Sequence, residues 1–148
     1  MRYAIFSDIH SNLEAFKAVI KAYKKESIDE FVCAGDVVGY GADPRECIAE
    51  LKRLAMITVA GNHDWAGVNL FPADYFNEDA RRAIIWTKGE LGESENIFLS
   101  SLKLVYQNAD LTLVHGTLHE PQEFNYMIDY RDASDTFKLL ETGACFLG

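Results

Sequence analysis

Four short polar clusters, each directly after a short apolar run, constrain the fold of this chain more than any other feature. The clusters are Asp8-Ile9-His10, Gly35-Asp36, Gly61-Asn62-His63-Asp64 and His115-Gly116. Apolar runs separated by longer amphipathic stretches are typical of alternating strands and helices, so the pattern predicts an α/β fold. In such folds the loops at the carboxyl ends of the strands converge, and ligands bind there. We therefore expect the four clusters to meet at one edge of a sheet.

Hydrophobic periodicity and capping residues predict six strands and five helices. The predicted strands are residues 3–6, 31–34, 56–60, 104–107, 111–114 and 144–147. The predicted helices are residues 12–25, 43–54, 77–91, 94–102 and 135–140. Ser11 with Glu14 is predicted to cap the first helix, while Asn77 and Ser94 are predicted to cap the third and fourth. One face of the first helix is expected to be apolar and comprises Leu13, Phe16, Val19, Ile20 and Tyr23.

Composition excludes several other kinds of protein. The apolar fraction of 49% in 148 residues suits a single domain with a hydrophobic core. No apolar stretch approaches the roughly 20 residues that cross a bilayer, and the first apolar run is too brief for a signal peptide, so a cytoplasmic protein is expected. The net charge of -9 argues against non-specific binding to nucleic acid. Cys33, Cys47 and Cys145 are expected to be buried, reduced thiols.

The polar clusters combine carboxylates, an amide and imidazoles. Such oxygen and nitrogen donors suit manganese, iron, zinc or cobalt better than calcium or copper(I). Each residue alone also has a structural explanation: Asp8 or Asp36 as a turn residue or helix cap, a histidine as a partly buried imidazole, and Asn62 in a left-handed turn. Four clusters in order, each at the same end of a strand, favour a metal site over four unrelated turns.

The run of motifs resembles that of the calcineurin-like metallophosphoesterases. The matching motifs are Asp8-x-His10, Gly35-Asp36-x-x-Gly39, Gly61-Asn62-His63-Asp64 and His115-Gly116. Residues 35–44 and 76–87 further resemble a branch of small microbial phosphoesterases whose activity is usually described only as predicted. The resemblance implies a sandwich of two sheets flanked by helices, with two divalent metal ions at its edge. Manganese is the favoured ion, and iron, zinc, cobalt and nickel are the alternatives.

The resemblance also implies how the metals are held. Asp8 and His10 would bind the first ion, Asn62 and His115 would bind the second, and Asp36 would bridge both. A carboxylate suits the bridging position because its oxygens serve two cations and offset part of their repulsion. A hydroxide shared by the two metals would then attack the phosphorus of a small phosphorylated substrate.

His63 corresponds to the family's catalytic histidine, where an imidazolium would protonate the leaving oxygen or stabilise its charge. In the family's protein phosphatases the second motif continues with an Asp that pairs with this histidine and an Arg that holds phosphate. Gly39 and Tyr40 occupy those positions here. The difference favours a phosphodiester over a protein phosphomonoester, and it leaves Asp64 as the nearest candidate partner of His63.

Several loop residues have two interpretations. They could line a substrate pocket, or they could pack back onto the core, as aromatic residues in loops more often do. They are Tyr40, Phe71, Tyr75, His119 and Glu120.

The last metal motif of the family is Gly-His-x-His, of which the 148 residues contain only the glycine, Gly148. Residues 1–148 are therefore expected to form a single metallophosphoesterase domain that is incomplete at its C-terminus, with one imidazole missing from each metal. Two functions stay open: hydrolysis of a phosphate ester, and a catalytically inactive metal-binding or interaction module with the same fold. The edge after the strand at 144–147 is expected to expose backbone and apolar surface, which favours self-association.

Overall fold

The computed structural model describes every residue from Met1 to Gly148 and contains two three-stranded sheets with helices around them. The strands are β1 Tyr3–Phe6, β2 Glu30–Cys33, β3 Ile57–Thr58, β4 Val105–Gln107, β5 Thr112–Val114 and β6 Cys145–Phe146. The helices are α1 Leu13–Tyr23, α2 Pro44–Arg53, α3 Asn62–Gly67, α4 Glu78–Glu90, α5 Glu93–Ser101 and α6 Tyr130–Leu139. Short 3₁₀ helices lie at Ala73–Tyr75 and Pro121–Glu123. The predicted α/β architecture of two sheets flanked by helices is confirmed.

The first sheet is parallel throughout, in the order β1-β2-β3. Parallel neighbours need crossover connections, which α1 and α2 provide. Because the three strands run in one direction, their carboxyl ends lie at the same edge. The residues that follow them carry the first three polar clusters, at 8–10, 35–36 and 61–64.

The second sheet is mixed, in the order β4-β5-β6. The pair of β4 with β5 is antiparallel, whereas β5 with β6 is parallel. An isolated parallel bridge between Val59 and Lys103 connects the residue after β3 to the segment before β4. His115 follows β5 directly, so the fourth cluster also stands at the carboxyl end of a strand.

Two groups of buried side chains hold these layers together. The larger, of 16 residues, draws on β1, α1, α2 and α5, and includes Phe6 and Phe16 with ring centroids 5.4 Å apart. The smaller draws on both sheets and consists of Val32, Ala34, Val59, Leu111 and Leu113. The second group therefore packs the two sheets against each other.

Helix starts agree with the sequence in some places and differ in others. Asn77 caps α4, and its side chain accepts a hydrogen bond from the Ala80 amide at 2.9 Å. The box of Ser11 with Glu14 is wrong, because Asn12 caps α1 through the Ala15 amide at 3.1 Å. A serine buried in a left-handed conformation, as Ser11 is, cannot serve as that cap.

Other boundaries also differ from the prediction. Gly92 rather than Ser94 occupies the N-cap of α5, because the Glu95 carboxylate accepts a bond from the Gly92 amide at 3.0 Å. Helix α6 begins five residues early, since Asp129 caps it through the amides of Arg131 and Asp132. Strand β3 keeps two of the five predicted residues, and α3 was not predicted.

Three further expectations concern single residues and membrane spans. Val19 is 43% exposed, so it lies off the buried face of α1 that Phe16 and Ile20 form. All three cysteines are free, but only Cys33 and Cys47 are buried, since Cys145 is partly exposed. None of the helices is long and apolar enough to cross a membrane.

Candidate metal centre

The loops at the sheet edge are fixed to one another through their backbones. The Asp8 amide donates to the Gly35 carbonyl at 3.0 Å, and the His10 amide donates to the Asp36 carbonyl at 2.9 Å. Asp8, His10 and Asp36 all adopt left-handed conformations, with φ of 54°, 47° and 54°. This conformation costs a side-chain-bearing residue roughly 1–2 kcal/mol. Strain of this kind concentrates where a site requires particular side-chain directions.

Asp36 is the centre of the arrangement and is only 3% exposed. Its Oδ1 accepts a hydrogen bond from the His63 amide at 2.9 Å. Its Oδ2 lies 3.7 Å from Nε2 of His10 and 3.5 Å from Nε2 of His115. Asp8 approaches from the rim, with Oδ1 3.6 Å from Nε2 of His10. Histidines from two different sheets thus converge on one buried carboxylate.

The contact made by Nδ1 of each histidine shows which ring nitrogen carries the proton. Nδ1 of His10 lies 3.1 Å from the Val38 carbonyl, and Nδ1 of His115 lies 2.8 Å from the Ala34 carbonyl. A carbonyl oxygen only accepts, so each Nδ1 carries the proton and a neutral ring presents a lone pair on Nε2. Lone pairs facing the oxygens of Asp36 repel unless a cation or an additional proton lies between them. Backbone carbonyls orient metal-binding histidines in this same way.

Asn62 and His63 complete the cleft from the first turn of α3. Oδ1 of Asn62 is 3.1 Å from Nε2 of His115. All six residues predicted from the sequence line one cleft, which we call the metal cleft. Two sets of side chains, both containing Asp36, have their donor atoms within 4.8 Å of one another: His10, Asp36 and His63, and Asp8, Asp36 and His115. The family resemblance groups these residues differently. It assigns Asp8 and His10 to the same ion, and it gives His63 a catalytic role rather than a role in metal binding.

Burial and neighbouring charges both shift the pKa values of the residues in the cleft. Burial raises the pKa of Asp36 well above its ordinary value, and the nearby carboxylate of Asp64 raises it further. Burial lowers the pKa of His10, but the hydrogen bond that its ring donates to Asp8 and the charge of Asp36 outweigh this effect, so the pKa is raised. A buried carboxylate that faces two imidazole nitrogens is stabilised by cations. The donor set therefore fits divalent metal ions.

His63 lies between the metal cleft and a neighbouring cavity. Burial, followed by the charges of His10 and His115, lowers the pKa of His63 to about 4. Burial therefore favours the neutral ring over the imidazolium that the family role of His63 implies. Its buried Nδ1 has no hydrogen-bond partner and lies 2.5 Å from where a Cβ on Gly39 would be. The missing side chain of Gly39 leaves the space into which the ring fits.

Asp64 is not the partner of His63, which corrects the sequence-based suggestion. Its fully buried carboxylate accepts hydrogen bonds from the amides of Val37 at 2.9 Å, Val38 at 3.1 Å and Gly61 at 3.0 Å. These three bonds join the loop after β2 to the turn after β3. Asp64 therefore positions the segments that carry Asp36 and His63. Its place at the third position of α3, opposite Gly61, was the sequence signal for this role.

The comparisons with known proteins agree with this geometry. The family model for Calcineurin-like phosphoesterase matches residues 1–143. The chain belongs to the calcineurin-like phosphoesterase family. This family is metal-dependent, and its members and structural relatives are phosphoesterases.

Three relatives describe the likeness. The uncharacterized protein MJ0912 of Methanocaldococcus jannaschii is 38% identical over 134 residues, which cover 87% of this chain and 55% of that protein. A metallophosphoesterase from Sphaerobacter thermophilus is 38% identical with a TM-score of 0.84, over 100% of this chain and 60% of that one. The hypothetical protein PH1004 from Pyrococcus horikoshii OT3 shares the fold at 20% identity and a TM-score of 0.83, over 99% and 68%. The chain thus spans between about half and two thirds of their lengths.

A second cavity of about 550 Å³ adjoins the metal cleft of this family member. Six residues line both: Tyr40, Asn62, His63, Phe124, Asn125 and Tyr126. We call it the aromatic cavity, after its rings: Tyr40, Phe71, Tyr75, Phe76, Phe124 and Tyr126. Tyr40, Phe71, Tyr75 and His119 therefore face a pocket, whereas Glu120 does not line it. Phe124 and Tyr126 were missed, because the loop after β5 carries no motif that would have indicated them.

Proposed function

We propose that this chain hydrolyses phosphodiesters with two divalent metal ions held in the cleft around Asp36. The convergence of Nε2 of His10 and Nε2 of His115 on the Asp36 carboxylate carries the proposal. Asp8 and Asn62 would supply the remaining ligands, one on each side of Asp36. Manganese is the ion we propose, because the donors are carboxylate, amide and imidazole. Bound divalent ions would supply Lewis acidity and lower the pKa of the attacking water.

Preference for a diester is supported by the charge of the site. Neither the metal cleft nor the aromatic cavity is lined by a Lys or an Arg. A phosphomonoester dianion has peripheral oxygens that such side chains usually bind, whereas a diester carries one negative charge. The neutral His63 ring would donate a hydrogen bond to the leaving oxygen. Asp36 and Asp64 hold that ring in place through the turn after β3.

The proposal is tested with manganese-loaded protein assayed on bis-p-nitrophenyl phosphate and on p-nitrophenyl phosphate. We expect kcat/KM for the diester to exceed that for the monoester by about tenfold or more, a difference of roughly 1.4 kcal/mol. A preference for the monoester would contradict the substrate class.

The bridging role of Asp36 is tested separately. Asp36→Asn should lower bound manganese strongly, because it removes one negative charge from a position shared by both ions. Asp43→Asn is the matched control, since Asp43 occupies the N-cap position of α2 without a side-chain capping hydrogen bond and does not line the metal cleft. Equal manganese content in the two variants, measured by elemental analysis, would refute the bridge.

A further inference from the structure

The walls of the aromatic cavity offer flat, accessible rings. Phe71 and Tyr75 are stacked, with centroids 5.5 Å apart and planes inclined by 30°. Tyr75 and Tyr126 are each 77% exposed, so most of each side chain is accessible to a ligand. The volume falls within the range of about 300–1,000 Å³ that is typical of small-molecule pockets. Accessible aromatic faces at this scale favour a planar ligand that stacks on them.

The charges of the aromatic cavity further restrict the chemical class of the ligand. Its lining carries three carboxylates and no Lys or Arg. Asp135 is paired with Lys138 at 2.6 Å, and Asp132 accepts from the amides of Ile128 and Asp129. Glu123 belongs to no ion pair in the structure and stays free to accept hydrogen bonds. An additional phosphate would be repelled here, whereas an uncharged ring bearing N–H groups would find acceptors.

The position of His63 indicates which part of a substrate would enter the aromatic cavity. Its ring centroid is 4.8 Å from that of Phe76 and 4.7 Å from that of Tyr40, so the imidazole forms part of the wall. The same ring lines the metal cleft. A leaving oxygen beside His63 would therefore place its own substituent next to the rings of Tyr40 and Phe76.

We propose that the aromatic cavity is the leaving-group subsite and that it takes an uncharged planar group, of the size and chemistry of a nucleoside. The inference rests on the proposed diesterase function and names its substrate class. In the reaction, the oxygen of water bonds to phosphorus and the bond from phosphorus to the nucleoside 5′ oxygen breaks. The proton lost by the water balances the one gained by the departing alkoxide. The products are the free nucleoside and a phosphomonoester of the other alcohol.

The probe is adenosine 5′-methylphosphate, a diester with two leaving groups that are both simple primary alcohols. Cleavage through the proposed subsite gives adenosine and methyl phosphate, whereas the opposite orientation gives adenosine monophosphate and methanol. With manganese-loaded protein we expect the first pair in about tenfold excess or more, because stacking one base on aromatic rings is worth about that factor. Chromatography of the nucleoside products measures the ratio.

Substitution of the rings tests whether the aromatic cavity sets this ratio. Phe71→Leu and Tyr75→Leu keep apolar side chains but remove the stacking faces, so each should reduce the excess of adenosine by about tenfold. Phe137→Leu is the matched control, because that ring is 70% exposed on α6 and does not line the cavity. An unchanged ratio in both ring variants would overturn the assignment.

The outcomes separate the two proposals. Turnover of the probe with adenosine monophosphate as the main product keeps the diesterase and refutes the leaving-group subsite. Failure to hydrolyse any diester refutes the proposed function. Calorimetric titration of adenosine then tests the subsite independently of turnover. Binding that Tyr75→Leu weakens about tenfold supports the subsite. Absence of binding, or equal binding by the variant, refutes it.

Discussion

The two ends of the chain build the site in different ways. Residues 1–67 supply five of the six candidate site residues, each two to five positions after a parallel strand and fixed by backbone bonds between neighbouring loops. Residues 103–148 supply only His115, followed by a loop with exposed side chains such as Tyr126 at 77% and Ile128 at 84%. The parallel strands thus position most of the candidate site residues, and the later loop lines the aromatic cavity. His63, which lines both cavities, stands at the boundary between the two.

The largest expected effect comes from His63. Its contacts are compatible with two roles, that of a metal ligand and that of a hydrogen-bond donor to the leaving oxygen. His63→Gln should reduce kcat on bis-p-nitrophenyl phosphate by about 10²–10⁴ and leave bound manganese unchanged. His10→Gln should instead lose manganese, because Nε2 of His10 faces Asp36 directly. If elemental analysis shows that His63→Gln also loses metal, His63 belongs with the ligands.

The next prediction compares two aspartates with the same place in a helix. Asp64 and Asp132 are both third in their helices and accept backbone amides near the N-cap. Asp64→Asn turns an amide NH₂ toward backbone donors in a fully buried site, and should cost about 3 kcal/mol of unfolding free energy. Asp132→Asn, where water can replace the lost bond, should cost below about 1 kcal/mol. Urea denaturation of the metal-free proteins measures both, and equal losses would contradict the contrast.

The sequence predicts the loops after the strands better than it predicts the aromatic cavity. The positions of Asp8, Asp36 and His115 were predictable because an apolar strand ends at a fixed point and a parallel sheet collects such points at one edge. The roles of Asp64 and Gly39 were not, since they depend on which loops touch. The aromatic cavity depends on residues 71–76 and 117–135, whose arrangement is set by tertiary contacts rather than by periodicity.

A third prediction concerns the space beside His63. Gly39→Ala places a Cβ 2.5 Å from Nδ1 of His63, at a φ of 95° that disfavours alanine. The ring must move, so we expect kcat to fall by about tenfold with bound manganese retained. Gly89→Ala is the control: it meets nothing within 4 Å in α4 and should stabilise the protein by about 0.5–1 kcal/mol. Unchanged kcat in Gly39→Ala would show that the position of this ring is not critical.

The smallest expected effect tests whether left-handed backbone is costly where no function requires it. Ala55 has a φ of 49°, close to the 54° of Asp8 and Asp36, but its side chain binds nothing. It follows the end of α2, where its amide donates to Lys52 and the Met56 amide donates to Leu51, an arrangement that favours glycine. Ala55→Gly should therefore raise the unfolding free energy by about 0.5–1 kcal/mol, because relief of the strain exceeds the added entropy of the unfolded chain.

Ala49→Gly, in the middle of α2, should lower the unfolding free energy by about 1 kcal/mol, since glycine is a poor helix former. Urea denaturation of both variants measures the opposite signs. Glycine at Asp8 or Asp36 would relieve similar strain but would also remove a carboxylate from the metal cleft. If Ala55→Gly destabilises the protein as Ala49→Gly does, this conformation carries no cost here. The left-handed residues of the metal centre would then reflect loop geometry rather than strain retained for function.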